Sequence, residues 1–132
     1  MKRVFVDTSA WYAYINALDP DHGRVQGALD GLEARLITSN FVFDEVVTLC
    51  RYRLGHRTAV RAGKILLDGS VLDLIRVMPE DERSAWSTFQ SRKDKAYSFT
   101  DCTSFELMRR LGLREAVALD ADFRQEGFDI VP

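Results

Sequence analysis

The chain has 132 residues, 46% of them hydrophobic and 29% charged, with a formal net charge of −2. These proportions belong to a globular domain large enough to bury a core without staples. The mildly acidic balance excludes general electrostatic attraction to nucleic acid, so any such contact must come from a local patch or through metal. Cys50 and Cys102 lie far apart in apolar contexts. They read as buried reduced thiols, not as a zinc site or disulfide framework. The first apolar run, VFV, is broken by Asp7, which does not suit a signal peptide. No stretch reaches the ~18 apolar residues of a membrane span. The expectation is one soluble, cytoplasmic domain over residues 1–132.

In chain order, Lys2–Val6 is a short strand rich in β-branched and aromatic residues. Thr8 or Ser9 caps a helix through AWYAYINAL, which Asp19-Pro20-Asp21 ends. A second helix covers His22–Leu32, and Ala34–Thr38 is a strand. Ser39 or Asn40 caps the helix FVFDEVVTLCRYRLG, whose Phe43, Val46, Val47, Cys50 and Leu54 form one buried stripe. Helix continues over His56–Leu67, and Val71–Val77 is the third strand. Pro79–Arg92 is helical, with Pro79 suited to a first turn. Phe99–Leu111 is a helix closed by Gly112, and strands follow at Ala116–Leu119 and Phe128–Val131. Short apolar strands alternating with helices predict a parallel sheet covered on both faces.

The carboxylates fall at telling places on this map. Asp7 follows the first strand, while Asp120 and Asp122 follow the fourth. Asp101 opens a helix, and Glu45 lies in the early turns of the helix after the second strand. In a parallel α/β sheet these positions share the rim where ligands bind. Each has a bland explanation as well. Acids at helix N-termini favour the dipole and the cap, and Glu45 could simply face solvent. Together they are harder to dismiss, because several carboxylates at one site stay ionised only with a cation between them. Oxygen donors without a Cys/His cluster suit Mg²⁺ or Mn²⁺. Such ions support phosphodiester cleavage by water without a protein nucleophile.

Four stretches, VFVDTSAWYA, ITSNFVFDEV, SFTDCTSFELMRRLG and ALDADF, occur in an order that resembles the PIN domain. The closer similarity is to VapC-type ribonuclease toxins of bacterial and archaeal toxin–antitoxin pairs. Each motif is weak alone, the ordered set is specific, and it spans essentially the whole chain. The resemblance implies a three-layer α/β/α fold with a five-stranded parallel sheet in the order 3-2-1-4-5. It matches Asp7, Glu45, Asp101 and Asp120 to the family's catalytic, metal-binding acids, with Asp44 leaving a one-residue ambiguity beside Glu45. Asp122 is an auxiliary acid, and Thr8 and Thr100 match supporting hydroxyls. The implied activity is a Mg²⁺- or Mn²⁺-dependent endoribonuclease that leaves a 5′-phosphate and a 3′-hydroxyl. The implied partners are an RNA substrate, a cognate antitoxin and a second copy of the chain.

Residues 46–67 hold no acid but carry Arg51, Arg53, Arg57, Arg61 and Lys64. This is a solvated face, a contact for RNA or an antitoxin, or a dimer surface. Trp11, Tyr12 and Tyr14 read first as core and second as a base-stacking cluster, and His22 reads as a surface histidine. Two other readings compete with the toxin: a housekeeping RNA-processing nuclease, and a binding protein that keeps the fold without cutting. A phosphohydrolase of the haloacid-dehalogenase type would require an acid where Ser9 stands.

Overall fold

The computed structural model describes residues 2–132. Its strands are β1 (Arg3–Val6), β2 (Arg35–Ser39), β3 (Leu72–Ile75), β4 (Glu115–Val117) and β5 (Asp129–Val131). Its helices are α1 (Thr8–Ile15), α2 (His22–Gly31), α3 (Asn40–Leu54), α4 (His56–Leu66), α5 (Pro79–Ser91), α6 (Phe99–Leu111) and α7 (Asp122–Gln125). All strand pairs are parallel, in the order β3-β2-β1-β4-β5. That is the order the resemblance implies.

Val4, Phe5 and Val6 are all fully buried. Successive strand side chains point to opposite faces, so β1 is covered on both. In register, Phe5 lies opposite Ile37 of β2 and Ala116 of β4. The chain winds outward from β1 to β3 and returns to lay β4 on the other side of β1. Strand order therefore reverses between β1 and β4, and a crevice opens at their C-terminal ends. The Asp7 backbone N–H donates to the Val117 carbonyl at 3.0 Å, extending the β1–β4 pairing to the edge of that crevice.

Local chemistry sets the helix ends. Asp7 itself caps α1, rather than Thr8 or Ser9. Its backbone is extended (φ −80°, ψ 160°) and its side chain accepts the Ser9 N–H. Ser39 Oγ caps α3 by accepting the Val42 N–H at 3.1 Å. Asn40 is thereby freed to accept the Val77 N–H through Oδ1 at 2.7 Å. Gly112 ends α6 at φ +69°. Its N–H reaches Arg109 O (3.2 Å) and the Leu113 N–H reaches Met108 O (2.9 Å), a Schellman closure that favours glycine.

The short helix α7 was not expected from the sequence. Its anchor is Phe123, fully buried, with ring centroids 6.2 Å from Phe5 and 5.0 Å from Phe105. Phe105 also meets Tyr97 edge-on at 4.9 Å. This aromatic core lies directly beneath the loop that bears Asp120 and Asp122.

Candidate active site

Asp7 is the most deeply placed acid of the crevice, 4% exposed. Its Oδ2 accepts the Ser9 hydroxyl at 2.8 Å and the Ser9 N–H at 3.3 Å. The same Ser9 oxygen accepts the Leu119 N–H at 3.2 Å. One serine therefore joins the acid after β1 to the loop after β4. Burial pushes the Asp7 carboxyl up to about 7; the negative charges of Asp101 and Asp120 add to this, against the lowering effect of Ser9.

Asp101 stands at the third position of α6 in a capping box. Its Oδ2 accepts the Ser98 N–H at 2.9 Å, and its own N–H donates to Ser98 Oγ at 3.0 Å. The cap and the site are thus two roles of one side chain. Burial raises its carboxyl to about 6, against the Ser98 hydrogen bond, and the charges of Asp122, Asp120 and Glu45 raise it further. Asp120 is exposed, and its Oδ1 accepts the Asp122 N–H at 3.0 Å, a turn that starts α7. Asp122 is half-buried, and its carboxyl is also raised, by burial and then by Asp120.

Glu45 is half-buried on α3 and acts on Asp101, whereas Asp44 beside it is exposed. Of the two neighbours, Glu45 is therefore the one oriented toward the acid rim. Thr8 is buried, and its Oγ1 has no hydrogen-bond partner. Thr100 is half-buried, and its carbonyl accepts the Thr103 hydroxyl at 2.7 Å.

The five acids Asp7, Glu45, Asp101, Asp120 and Asp122 therefore act on one another through space. Among the described residues, none of them forms an ion pair with a Lys, Arg or His. An all-oxygen, mutually repelling set beside an unpartnered hydroxyl has the donor type and charge that a hard divalent cation requires. It is not a closed cage. Among the described residues no group of three or more His, Cys, Asp or Glu is arranged to hold a metal directly. Water between carboxylate and ion, the usual habit of Mg²⁺, is compatible with that spacing.

The basic residues fall elsewhere. Arg51, Arg53 and Arg57 are exposed on α3 and α4, and none is among the main influences on the Asp7, Asp101 or Asp122 carboxyls. The Arg53 guanidinium lies over the Tyr12 ring, 5.6 Å from its centre. Arg51 borders an apolar groove of about 460 Å³ between α3 and α4, with Phe43, Val47, Tyr52 and Val60. One contributor escapes sequence reasoning: Ser9 reads there as a cap or as the place of an absent acid, and its tie between Asp7 and Leu119 leaves no local signal. Phe123, the aromatic of the ALDADF stretch, pins the Asp120–Asp122 loop.

Residues 4–128 match the PIN domain family. Over 125 residues, 95% of each chain, the sequence is 40% identical to a 23S rRNA-specific endonuclease, VapC20, of Mycobacterium tuberculosis. The chain belongs to the PIN-domain family, among its VapC ribonuclease toxins. A VapC ribonuclease of Archaeoglobus fulgidus is 29% identical to this PIN domain over 126 residues, covering 89% of the chain and 77% of that relative. The crystal structure of M. tuberculosis VapC20, described as a sarcin–ricin loop cleaving toxin, matches it with a TM-score of 0.92 at 38% identity, covering 98% and 99% of the two chains. A chain of the VapBC2 complex of Rickettsia felis, bound to promoter DNA, shares the fold at a TM-score of 0.74 and 14% identity, over 97% and 96% of the chains. No described helix is long and apolar enough to cross a membrane.

Proposed function

We propose that this VapC-family chain is an endoribonuclease that works with Mg²⁺ or Mn²⁺, the toxin of a toxin–antitoxin pair. The observation that carries the reading is the set of acids gathered around the buried Asp7, none of which pairs with a Lys, Arg or His among the described residues. When bound, a divalent cation supplies charge neutralisation at the scissile phosphate and a water acidic enough to attack it.

The chain's own residues do the rest. Asp7, Glu45, Asp101 and Asp120 would hold the cation directly or through water, with Asp122 as an auxiliary oxygen. Ser9 fixes the Asp7 carboxylate and ties it to the Asp120 loop. The Thr8 hydroxyl, unpartnered within the protein, orients water or a phosphate oxygen. Asp7 and Asp101, whose carboxyls burial raises, would have to be deprotonated to hold a cation, so its affinity would rise with pH up to about neutrality. Hydrolysis leaves a 5′-phosphate and a 3′-hydroxyl. The 40% identity to a 23S rRNA-specific endonuclease makes ribosomal RNA the first substrate to test. A cognate antitoxin is the proposed protein partner and a homodimer the proposed assembly.

The deciding experiment incubates purified wild-type and Asp7→Asn protein with ribosomes and with total RNA, in Mg²⁺, Mn²⁺ or EDTA, and maps the cut ends. Discrete cuts that need both the ion and Asp7 are expected. No cutting by wild type, together with no Mn²⁺ uptake by calorimetry, would leave a PIN-fold binding protein.

A further inference from the structure

Beside the acid rim lies an aromatic surface that the proposed chemistry does not use. Trp86 and Phe89 of α5 are 54% and 40% exposed, large values for such side chains. Their rings stack on each other, 5.9 Å between centres at an interplanar angle of 13°. Phe99 meets both edge-on, at 6.4 Å from Trp86 and 6.3 Å from Phe89. Phe99 is also 6.2 Å from Phe41.

These last two rings connect the surface to the site. Phe99 is the first residue of α6, two before Asp101. Phe41 lies on α3 one turn before Glu45, on the same helix face. The row of rings therefore runs outward from the acids. A depression of about 370 Å³ continues from it, its lining including Trp86, Phe89, Lys93, Lys95, Tyr97 and Arg92, the last already paired with Glu126. The carboxylates of α5 sit in its first turn, at the end away from these lysines, while the exposed Asp94 lies between the two and approaches Lys95 at 3.6 Å, leaving Lys93 unpaired among the described residues. Flat apolar rings beside ammonium groups, next to a site for phosphodiester chemistry, match the bases and backbone of single-stranded RNA.

We propose that Trp86 and Phe89 form a stacking platform on which an unpaired base of the RNA substrate rests, with Lys93 and Lys95 holding the adjoining phosphates. The inference builds on the ribonuclease reading. It makes the two rings specificity residues that select unpaired loops over duplex, with no part in the bond-breaking step.

Tryptophan fluorescence tests it directly. The chain has two tryptophans, and Trp11 is only 2% exposed, so Trp86 supplies the solvent-sensitive signal. The Asp7→Asn protein, which does not cut, is titrated with a short single-stranded RNA and with a duplex of the same length, and anisotropy of labelled RNA reports binding in parallel. Saturable quenching by the single strand, and little by the duplex, is expected. In otherwise wild-type protein Trp86→Ala raises KM for RNA cleavage roughly tenfold with kcat little changed, whereas Trp86→Phe stays near wild type.

RNA binding without quenching would overturn the platform, as would unchanged KM in a folded Trp86→Ala protein and in Phe89→Ala. So would a fluorescence that follows protein concentration, with Trp86→Ala reducing the species seen in sedimentation, because a second copy would then cover the rings. Cutting that ignores Trp86 defeats the platform and leaves the nuclease standing. Quenching by RNA that wild type never cuts supports the platform and defeats the nuclease.

Discussion

Asp7 is a buried residue and Glu126 a half-buried one whose side chain is nonetheless covered, yet the environments of the two carboxylates are opposite. Glu126 receives Arg92 at 2.9 Å, Arg109 at 2.9 Å and the Tyr97 hydroxyl at 3.0 Å. Despite its burial, those hydrogen bonds hold its carboxyl down at about 2. Asp7 receives only Ser9 and faces other acids, and its carboxyl is pushed up to about 7. The fold thus has the means to neutralise a buried acid and uses them a few residues from the crevice, but not in it. Uncompensated buried charge is costly, and the contrast is what the proposed cation-binding role of Asp7 would require.

The sharpest way to break this contrast is Asp7→Asn. Cleavage should fall by about a thousandfold or more, while the melting temperature in cation-free buffer near pH 7.5 rises, because a buried charge has gone. A lower melting temperature would show that Asp7 is structural. Mn²⁺ should raise the melting temperature of wild type and leave Asp7→Asn unmoved.

The two acids also predict opposite pH slopes. The folded protein holds Asp7 near 7 against an ordinary 3.8, so its contribution is fully present below about pH 4 and is lost as pH rises through 7, an effect of about 4 kcal/mol. Glu126, at about 2 against 4.5, contributes above pH 4.5 and loses that contribution as pH falls through 2. Cation-free protein should therefore melt highest near pH 4–5, and Mn²⁺ should move the maximum upward. Melting scans across that range decide it; a cation-free maximum at pH 7 or above would contradict the Asp7 account.

Glu126→Gln should cost about 2–3 kcal/mol in denaturant titration, since it leaves Arg92 and Arg109 without their anion. Activity should fall with it, because Glu126 follows directly on α7. Ser9→Ala removes the link between Asp7 and Leu119 and should slow cleavage about tenfold at near-wild-type stability. The smallest effect is expected from Arg53→Ala. It loses the contact over Tyr12, worth up to about 1 kcal/mol, and should cut RNA within about threefold of wild type. A large loss there would return the α3–α4 surface to the substrate path.

Much of this architecture was legible in the residues. The VFV run announced a strand buried on both faces, and strand–helix alternation announced a parallel sheet. The order of that sheet came from the family resemblance, because pairing between β1 and β4 joins residues more than a hundred positions apart and leaves no local pattern. The acids could be placed on one rim because each sits just after a strand or early in a helix. What stayed hidden depends on tertiary contact. The tie from Ser9 to Leu119 spans 110 positions. Helix α7 has only four residues, too few for periodicity. Trp86 and Phe89 lie three apart, the spacing of an ordinary buried stripe, and only the packed molecule shows them facing outward.

The hydrogen bond from the Asp7 amide to the Val117 carbonyl also sets a timetable. One half of the rim is synthesised almost at once, the other only after β4 and α7 have been made. A chain still emerging from the ribosome holds Asp7 without Asp101, Asp120 or the Leu119 amide. The cutting edge is thus among the last features to exist during biogenesis, and a truncated translation product lacking β4 would be inert however well its first hundred residues fold.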